Sequence, residues 1–122
     1  MDDSIVRGTT SRRLVELLRK YGAKEVHFIS SCPPVTSPCY YGVDMSVKDE
    51  LIASRGTDDI ERKIGADSVT YQSIDGLVNA IGLPRGNLCL ACLNGDYPTH
   101  LSCSNAECLS RNRELERRNM KI

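Results

Sequence analysis

Residues 10–30, TSRRLVELLRKYGAKEVHFIS, decide the fold. Leu14, Val15, Leu17, Leu18 and Tyr21 fall at steps that place them on one face of a helix, so the spacing predicts an amphipathic helix over 10–21 with Gly22 as its stop. Residues 25–30 (EVHFIS) are short, β-branched and aromatic, and the breaker SCPPVTSPC follows them. That pattern predicts a strand running into a loop. A helix followed directly by a strand is the unit of an α/β layer.

Working outward, residues 47–55 (VKDELIASR) and 58–64 (DDIERKI) read as two short surface helices split near Gly56, with Thr57 placed to cap the second. A turn at 65–67 leads into a second predicted strand over 68–72, and IDGLVNAI at 74–81 has helical spacing. The run GLPRG at 82–86 breaks that helix. Residues 87–99 are expected to be loop carrying a cysteine pair, and the highly charged 110–121 to be a solvated helix or a frayed tail.

The chain has 122 residues, one domain's worth. Sixteen basic and sixteen acidic side chains cancel, so no bulk field recruits nucleic acid or an anionic membrane. With no tryptophan and one phenylalanine there is no stacking platform for single strands. No apolar run approaches the roughly 18 residues of a membrane helix, and MDDSIVRGTT lacks the apolar centre of a signal peptide. The expected setting is cytoplasmic, with neither nucleic acid nor membrane as partner. Six cysteines are many for such a compartment, which makes metal binding their leading use.

Two segments carry chemistry. Asp2 and Asp3 stand just before Ser4-Ile5-Val6-Arg7-Gly8-Thr9-Thr10-Ser11, a hydroxyl-rich turn feeding the first helix. Unpaired N–H groups at a helix start favour a phosphate, Gly8 lets the main chain approach it, and the hydroxyls add donors. The two carboxylates suit ribose hydroxyls or a Mg²⁺ ion that also touches pyrophosphate oxygens. The plainer reading of the same residues is a solvated acidic start with a helix cap. The second segment is Cys89-Leu-Ala-Cys92, which suits two corners of an iron or zinc site or a redox dithiol.

Together with GAKEVHFISSCPPVTSPCYYGVDM at 22–45, DELIASRGTDDIERKIGADSVTYQSIDGLVNAIG at 49–82 and CLACLNGDYPT at 89–99, the stretch DDSIVRGTTS at 2–11 resembles the C-terminal end of the amidophosphoribosyltransferases, the enzymes that open de novo purine synthesis. The resemblance implies the C-terminal portion of a type I phosphoribosyltransferase fold over 1–100, α/β with a parallel sheet and flanking helices. An irregular cysteine-bearing segment and a charged tail over 101–122 would follow. It implies that Asp2 and Asp3 hold Mg²⁺ and the ribose of phosphoribosyl pyrophosphate, and that Ser4, Arg7, Gly8, Thr9, Thr10 and Ser11 belong to its substrate loop. The implied reaction is displacement of pyrophosphate at the anomeric carbon by ammonia drawn from glutamine, with no side chain here acting as nucleophile.

In the iron–sulfur branch of that family, the positions of Cys39, Cys89 and Cys92 hold a 4Fe-4S cluster, and the fourth ligand lies upstream of anything present in this chain. A zinc site on Cys89, Cys92, Cys103 and Cys108 is the rival use of the thiols. Cys32, beside two prolines, reads as a small buried filler. The family also carries an N-terminal glutaminase and the front of the transferase, so a partner chain supplying them is expected, and full-length relatives are homo-oligomers. Without that front the strand at 25–30 is expected to expose an unpartnered edge. The alternative is a non-catalytic metal-binding module that takes a phosphoribosyl ligand.

The remaining candidates read as structural. His27 and His100 are expected to be packed or hydrogen-bonded, and Asp44, Asp49, Glu50, Asp58 and Asp59 to be solvated acids. Arg111, Arg113, Arg117 and Arg118 alternate with Glu114 and Glu116, as helix-surface ion pairs do.

Overall fold

A computed structural model describes residues 1–41, 48–54 and 56–99. The predicted tail helix, Cys103, Cys108, His100 and Asp44 lie outside the described residues.

Helix α1 (Thr9–Lys20) begins where Gly8 turns left-handed, at φ 76°, and ends as the Tyr21 N–H donates to the carbonyls of Leu17 and Leu18. Strand β1 (His27–Ser30) pairs in parallel with β2 (Ser68–Tyr71), His27 opposite Ser68 and Ser30 opposite Tyr71. Along β1, Phe28 and Ser30 point inward while His27 and Ile29 face out, the two-residue alternation of a pleated strand. Asp2 bridges Ser30 on the other edge, with Asp2 N–H on the Ile29 carbonyl at 2.9 Å and Ser31 N–H on the Asp2 carbonyl at 3.0 Å. The strand therefore has partners on both sides. The expectation of an unpartnered strand is corrected by β2, which covers one whole edge, and by Asp2, which takes the end of the other.

Helix α2 (Ile60–Ile64) packs against α1, and Ile5, Val15, Val26, Phe28, Ala53, Ile60 and Ile64 close the main core between them and the sheet. Full burial of a side chain such as Ile5, 1% exposed, contributes about 1.5–3 kcal/mol. Helix α3 (Ile74–Ile81) starts on Ser73, whose hydroxyl accepts from the Gly76 N–H at 3.0 Å. Helix α4 (Ala91–Asn94) belongs to a second apolar cluster of Val35, Leu51, Leu90 and Leu93.

Four local expectations change. The helix expected over 47–55 is a single 3₁₀ turn, Lys48–Glu50. Beyond it Leu51 and Ala53 enter different clusters, and the Ile52 N–H donates to the Val6 carbonyl at 2.9 Å, so tertiary contacts hold the chain extended. Helix α2 starts two residues late because Asp59, at φ 128°, is its cap; Thr57 offers only its carbonyl, 3.3 Å from the Ile60 N–H. Residues 87–99 are not all loop, since they contain α4 and the end of a 3₁₀ turn, Arg85–Asn87. On α1 only Ser11 and Val15 are buried; Leu14, Leu17, Leu18 and Tyr21 stay exposed, the last at 81%. Among the described residues no helix is long and apolar enough to cross a membrane.

Candidate functional site

The acid pair sits at the carboxyl end of β1. The Asp2 carbonyl accepts from Ser31, the Asp3 carbonyl accepts from the Cys32 N–H at 2.9 Å, and the Ser31 hydroxyl reaches both carbonyls at 3.4 and 3.3 Å. These bonds fix the backbone beneath both carboxylates. The Asp2 carboxylate accepts from the Asp3 N–H at 3.0 Å, while the Asp3 side chain is exposed. In an open α/β sheet, ligands bind beyond the carboxyl ends of the strands, which is where this turn leaves the sheet.

From there Ile5, 1% exposed, plugs the chain into the core and Val6 takes the Ile52 hydrogen bond. Gly8 then lies directly on Ile52 and Ile64: a Cβ there would overlap Ile52 Cδ1 and come within 3.3 Å of Ile64 Cγ2. Glycine is required twice, for its left-handed backbone and for this close approach. Helix α1 opens with no side-chain cap on its first N–H groups and no acid in its first turn, so its positive end is presented at Thr9 and Thr10, both exposed. Ser11 is buried at 3%. Arg7 pairs with Glu50 at 3.2 Å, and a cavity of about 260 Å³ opens beside it between Gly8, Thr9, Arg12, Ile52 and Lys63. Arg12, Ile52 and Lys63 were not singled out in the sequence; for the last two nothing local links them to a turn 40 to 56 positions away.

The sulfur donors begin next to the acid pair, since Cys32 donates its N–H to the Asp3 carbonyl. Cys32, Cys39, Cys89 and Cys92 are all free thiols, Cys89 exposed and the others half-buried. Burial pushes the Cys92 thiol up, and its neighbours Cys32, Cys39 and Cys89 add to the rise. Burial likewise raises Cys32, reinforced by Asp3. The Tyr41 N–H donates to Cys39 Sγ at 3.4 Å. As a donor set, four neighbouring soft sulfurs match iron–sulfur chemistry. Among the described residues no group of three or more His, Cys, Asp or Glu side chains is placed to hold a metal ion. Asp2 and Asp3 supply hard oxygens, and two carboxylates suffice for Mg²⁺ when substrate phosphates and water complete its shell.

Among the described residues, His27, Glu50 and Asp59 make local polar contacts. His27 bonds through Nδ1 to Ser68 Oγ at 2.9 Å and through Nε2 to Glu25 at 3.3 Å. Glu50 and Asp59 are partly exposed members of ion pairs with Arg7 and Arg62.

No protein-family model matches the chain. It is 59% identical over 103 residues to the amidophosphoribosyltransferase of Methanocaldococcus jannaschii, covering 84% of this chain and 21% of that protein. It is 57% identical over 102 residues to that of Methanothermobacter thermautotrophicus, covering 83% and 22%. Among solved structures it superposes on the glutamine phosphoribosylpyrophosphate amidotransferase of B. subtilis complexed with ADP and GMP with a TM-score of 0.76 at 48% identity, covering 84% of this chain and 24% of that one. A second, described as the allosteric regulatory enzyme of purine biosynthesis, gives 0.78 at 46% identity, covering 89% and 25%. The chain thus spans about a fifth of the length of the curated relatives it matches.

Proposed function

From its homology to the C-terminal part of the amidophosphoribosyltransferases, we propose that this chain supplies the phosphoribosyl pyrophosphate loop of such an enzyme, acting in the first committed step of purine synthesis. The observation that carries the reading is the coupling of Asp2 and Asp3, held at the carboxyl end of β1, to an uncapped helix start across the Gly8 turn. The α1 N-terminus and the Thr9 and Thr10 hydroxyls receive the 5′-phosphate, an interaction to which the helix dipole contributes about 0.3–1 kcal/mol. Arg7, Ser4 and the N–H of Ser11 complete the loop. Asp2 and Asp3 would hold Mg²⁺ and the ribose hydroxyls, and the ion would supply charge neutralisation to the pyrophosphate oxygens.

The chain's own task is positioning. Ammonia attacks the anomeric carbon as pyrophosphate leaves, positive charge develops on the ribose ring, and the neighbouring carboxylates stabilise it. No covalent intermediate with the protein is needed. Cys39, Cys89 and Cys92 would hold a 4Fe-4S cluster, which would supply a cross-link between the segments that carry them rather than a reactive group.

The rest of the enzyme is the partner. Leu14, Leu17 and Leu18, each 42–49% exposed, together with Tyr21 and Ile29, form apolar surface that the remaining four fifths of an amidophosphoribosyltransferase would cover. The setting is the cytoplasm. To test the reading, the chain is co-expressed with the N-terminal four fifths of the M. jannaschii enzyme, and glutamine-dependent release of pyrophosphate from phosphoribosyl pyrophosphate is measured. Activity should require both polypeptides and disappear in Asp2→Asn/Asp3→Asn. A co-purified complex with no pyrophosphate release would contradict the proposal.

A further inference from the structure

Three consecutive residues of the turn before α1 rest on one short stretch of chain. The Val6 carbonyl accepts from the Ile52 N–H at 2.9 Å, Arg7 Nε pairs with Glu50 Oε2 at 3.2 Å, and Gly8 lies against the Ile52 side chain. That stretch is itself anchored on both sides. Leu51, 2% exposed, belongs to the second apolar cluster and Ala53, 1% exposed, to the main core. The Leu51 N–H donates to the Lys48 carbonyl at 3.2 Å and closes the 3₁₀ turn that carries Glu50. The backbone beneath the Glu50 carboxylate is therefore fixed by its neighbours.

The ion pair adds little to stability, because its side chains are 45% and 40% exposed and pairs this open to water contribute little to folding. What it does set is orientation. A guanidinium carries its N–H donors in a rigid planar fork, so binding Glu50 through Nε fixes the plane in which the two terminal nitrogens lie. Arg7 also gains a counter-charge. With Arg12 and Lys63 it lines the cavity of about 260 Å³ beside Gly8, and the described lining of that cavity holds no acid. Three cations around one cavity repel one another; Glu50, which does not line it, offsets that repulsion at Arg7 without taking the space an anion would occupy.

We propose that Glu50 is a positioning residue for phosphoribosyl pyrophosphate: it holds Arg7 in the orientation in which the guanidinium meets the 5′-phosphate, and it acts on the substrate only through Arg7. The proposal rests on the phosphate-loop reading given above and replaces, for Glu50, the solvated role expected from the sequence. A long side chain fixed before its ligand arrives loses less freedom on binding. The 5′-phosphate takes no part in the bond changes at the anomeric carbon. An interaction made there is the same in the ground and transition states, so its loss is read in KM rather than in kcat.

The test uses this chain co-expressed with the N-terminal four fifths of the M. jannaschii enzyme, with pyrophosphate release measured as phosphoribosyl pyrophosphate is varied. Glu50→Gln should raise KM about three- to fivefold, the ratio that loss of one partly exposed ion pair commands, and leave kcat within about twofold. In an Arg7→Ala background the same change should move KM by less than about twofold, since its route to the substrate is gone. Asp75→Asn, which breaks the exposed pair with Arg85 at 2.8 Å, should match the parent in KM, and the urea midpoints of both single variants should stay with the parent's. An unchanged KM in Glu50→Gln, an equal rise with Arg7 present and absent, or a fall in kcat as large as the rise in KM would overturn the proposal and leave the functional reading intact. A co-purified parent complex that releases no pyrophosphate would overturn both.

Discussion

Replacing Gly8 by alanine separates the two demands made on that residue. Its backbone sits at φ 76°, ψ −3°, where an L side chain costs about 1–2 kcal/mol. The added Cβ also meets Ile52 Cδ1 and, at 3.3 Å, Ile64 Cγ2. Overpacking of this kind costs about 1–3 kcal/mol, and the lower end applies because Cδ1 is the end of a rotatable, half-buried side chain. The expected loss is about 2–3 kcal/mol. Gly82→Ala is the control: Gly82 has φ 73° and nothing within 4 Å, so only the backbone cost of about 1–2 kcal/mol applies. In urea melts with a slope near 2 kcal/mol/M, Gly8→Ala should fall about 0.5 M below Gly82→Ala. Adding Ile52→Ala removes the obstructing atoms, and the double-mutant cycle should show a favourable coupling of about 1 kcal/mol. Equal losses at the two glycines, or a cycle with no coupling, would refute the claim that the loop is seated on Ile52.

Other perturbations follow from single contacts. Ser73→Ala removes the cap bond to the Gly76 N–H at 3.0 Å and should cost about 1 kcal/mol by urea denaturation. The Val26 N–H, and after it the Arg19 guanidinium at 2.6 Å, hold the Asp67 carboxyl below the usual carboxylate range. Its stabilisation is therefore present above about pH 4 and lost as pH falls through the lowered folded value; Asp67→Asn should flatten the acid limb of a pH–stability curve. Tyr71 carries a buried hydroxyl with no hydrogen-bond partner, and burial pushes its pKa up to about 12. Tyr71→Phe should leave stability equal or higher by up to about 1 kcal/mol, and should weaken the loss that the parent shows as pH rises from about 10 towards 12.

Helix α1 and both strands were legible because their pattern is local: apolar residues recur at helical steps in 10–21, and β-branched residues bounded by breakers mark 25–30 and 68–72. The segment after residue 47 was not. Leu51, Ile52 and Ala53 look helical as neighbours, yet two clusters and the Val6 carbonyl pull them apart, and that information lies far away in sequence. Helix α4 has four residues, too few to show a period. At the site, the glycine turn and the acid pair were visible as residue types, and the structure brings them together at one end of the sheet. The neighbourhood of Cys32 and Cys92 was hidden because it depends on main-chain bonds between stretches nearly 60 positions apart. The apolar face of α1 was predicted as a face, but a helix pattern cannot say which element covers it; in this chain only Val15 and Ser11 turn inward.

The most direct measurement of the central claim is the set of backbone amide shifts in the isotope-labelled chain as phosphoribosyl pyrophosphate is added with and without Mg²⁺. The account predicts the largest shifts at Gly8, Thr9, Thr10 and Ser11, with Mg²⁺-dependent changes at Asp2 and Asp3 that vanish in Asp2→Asn/Asp3→Asn. Saturable shifts centred elsewhere, or none at these residues in a folded chain, would contradict it.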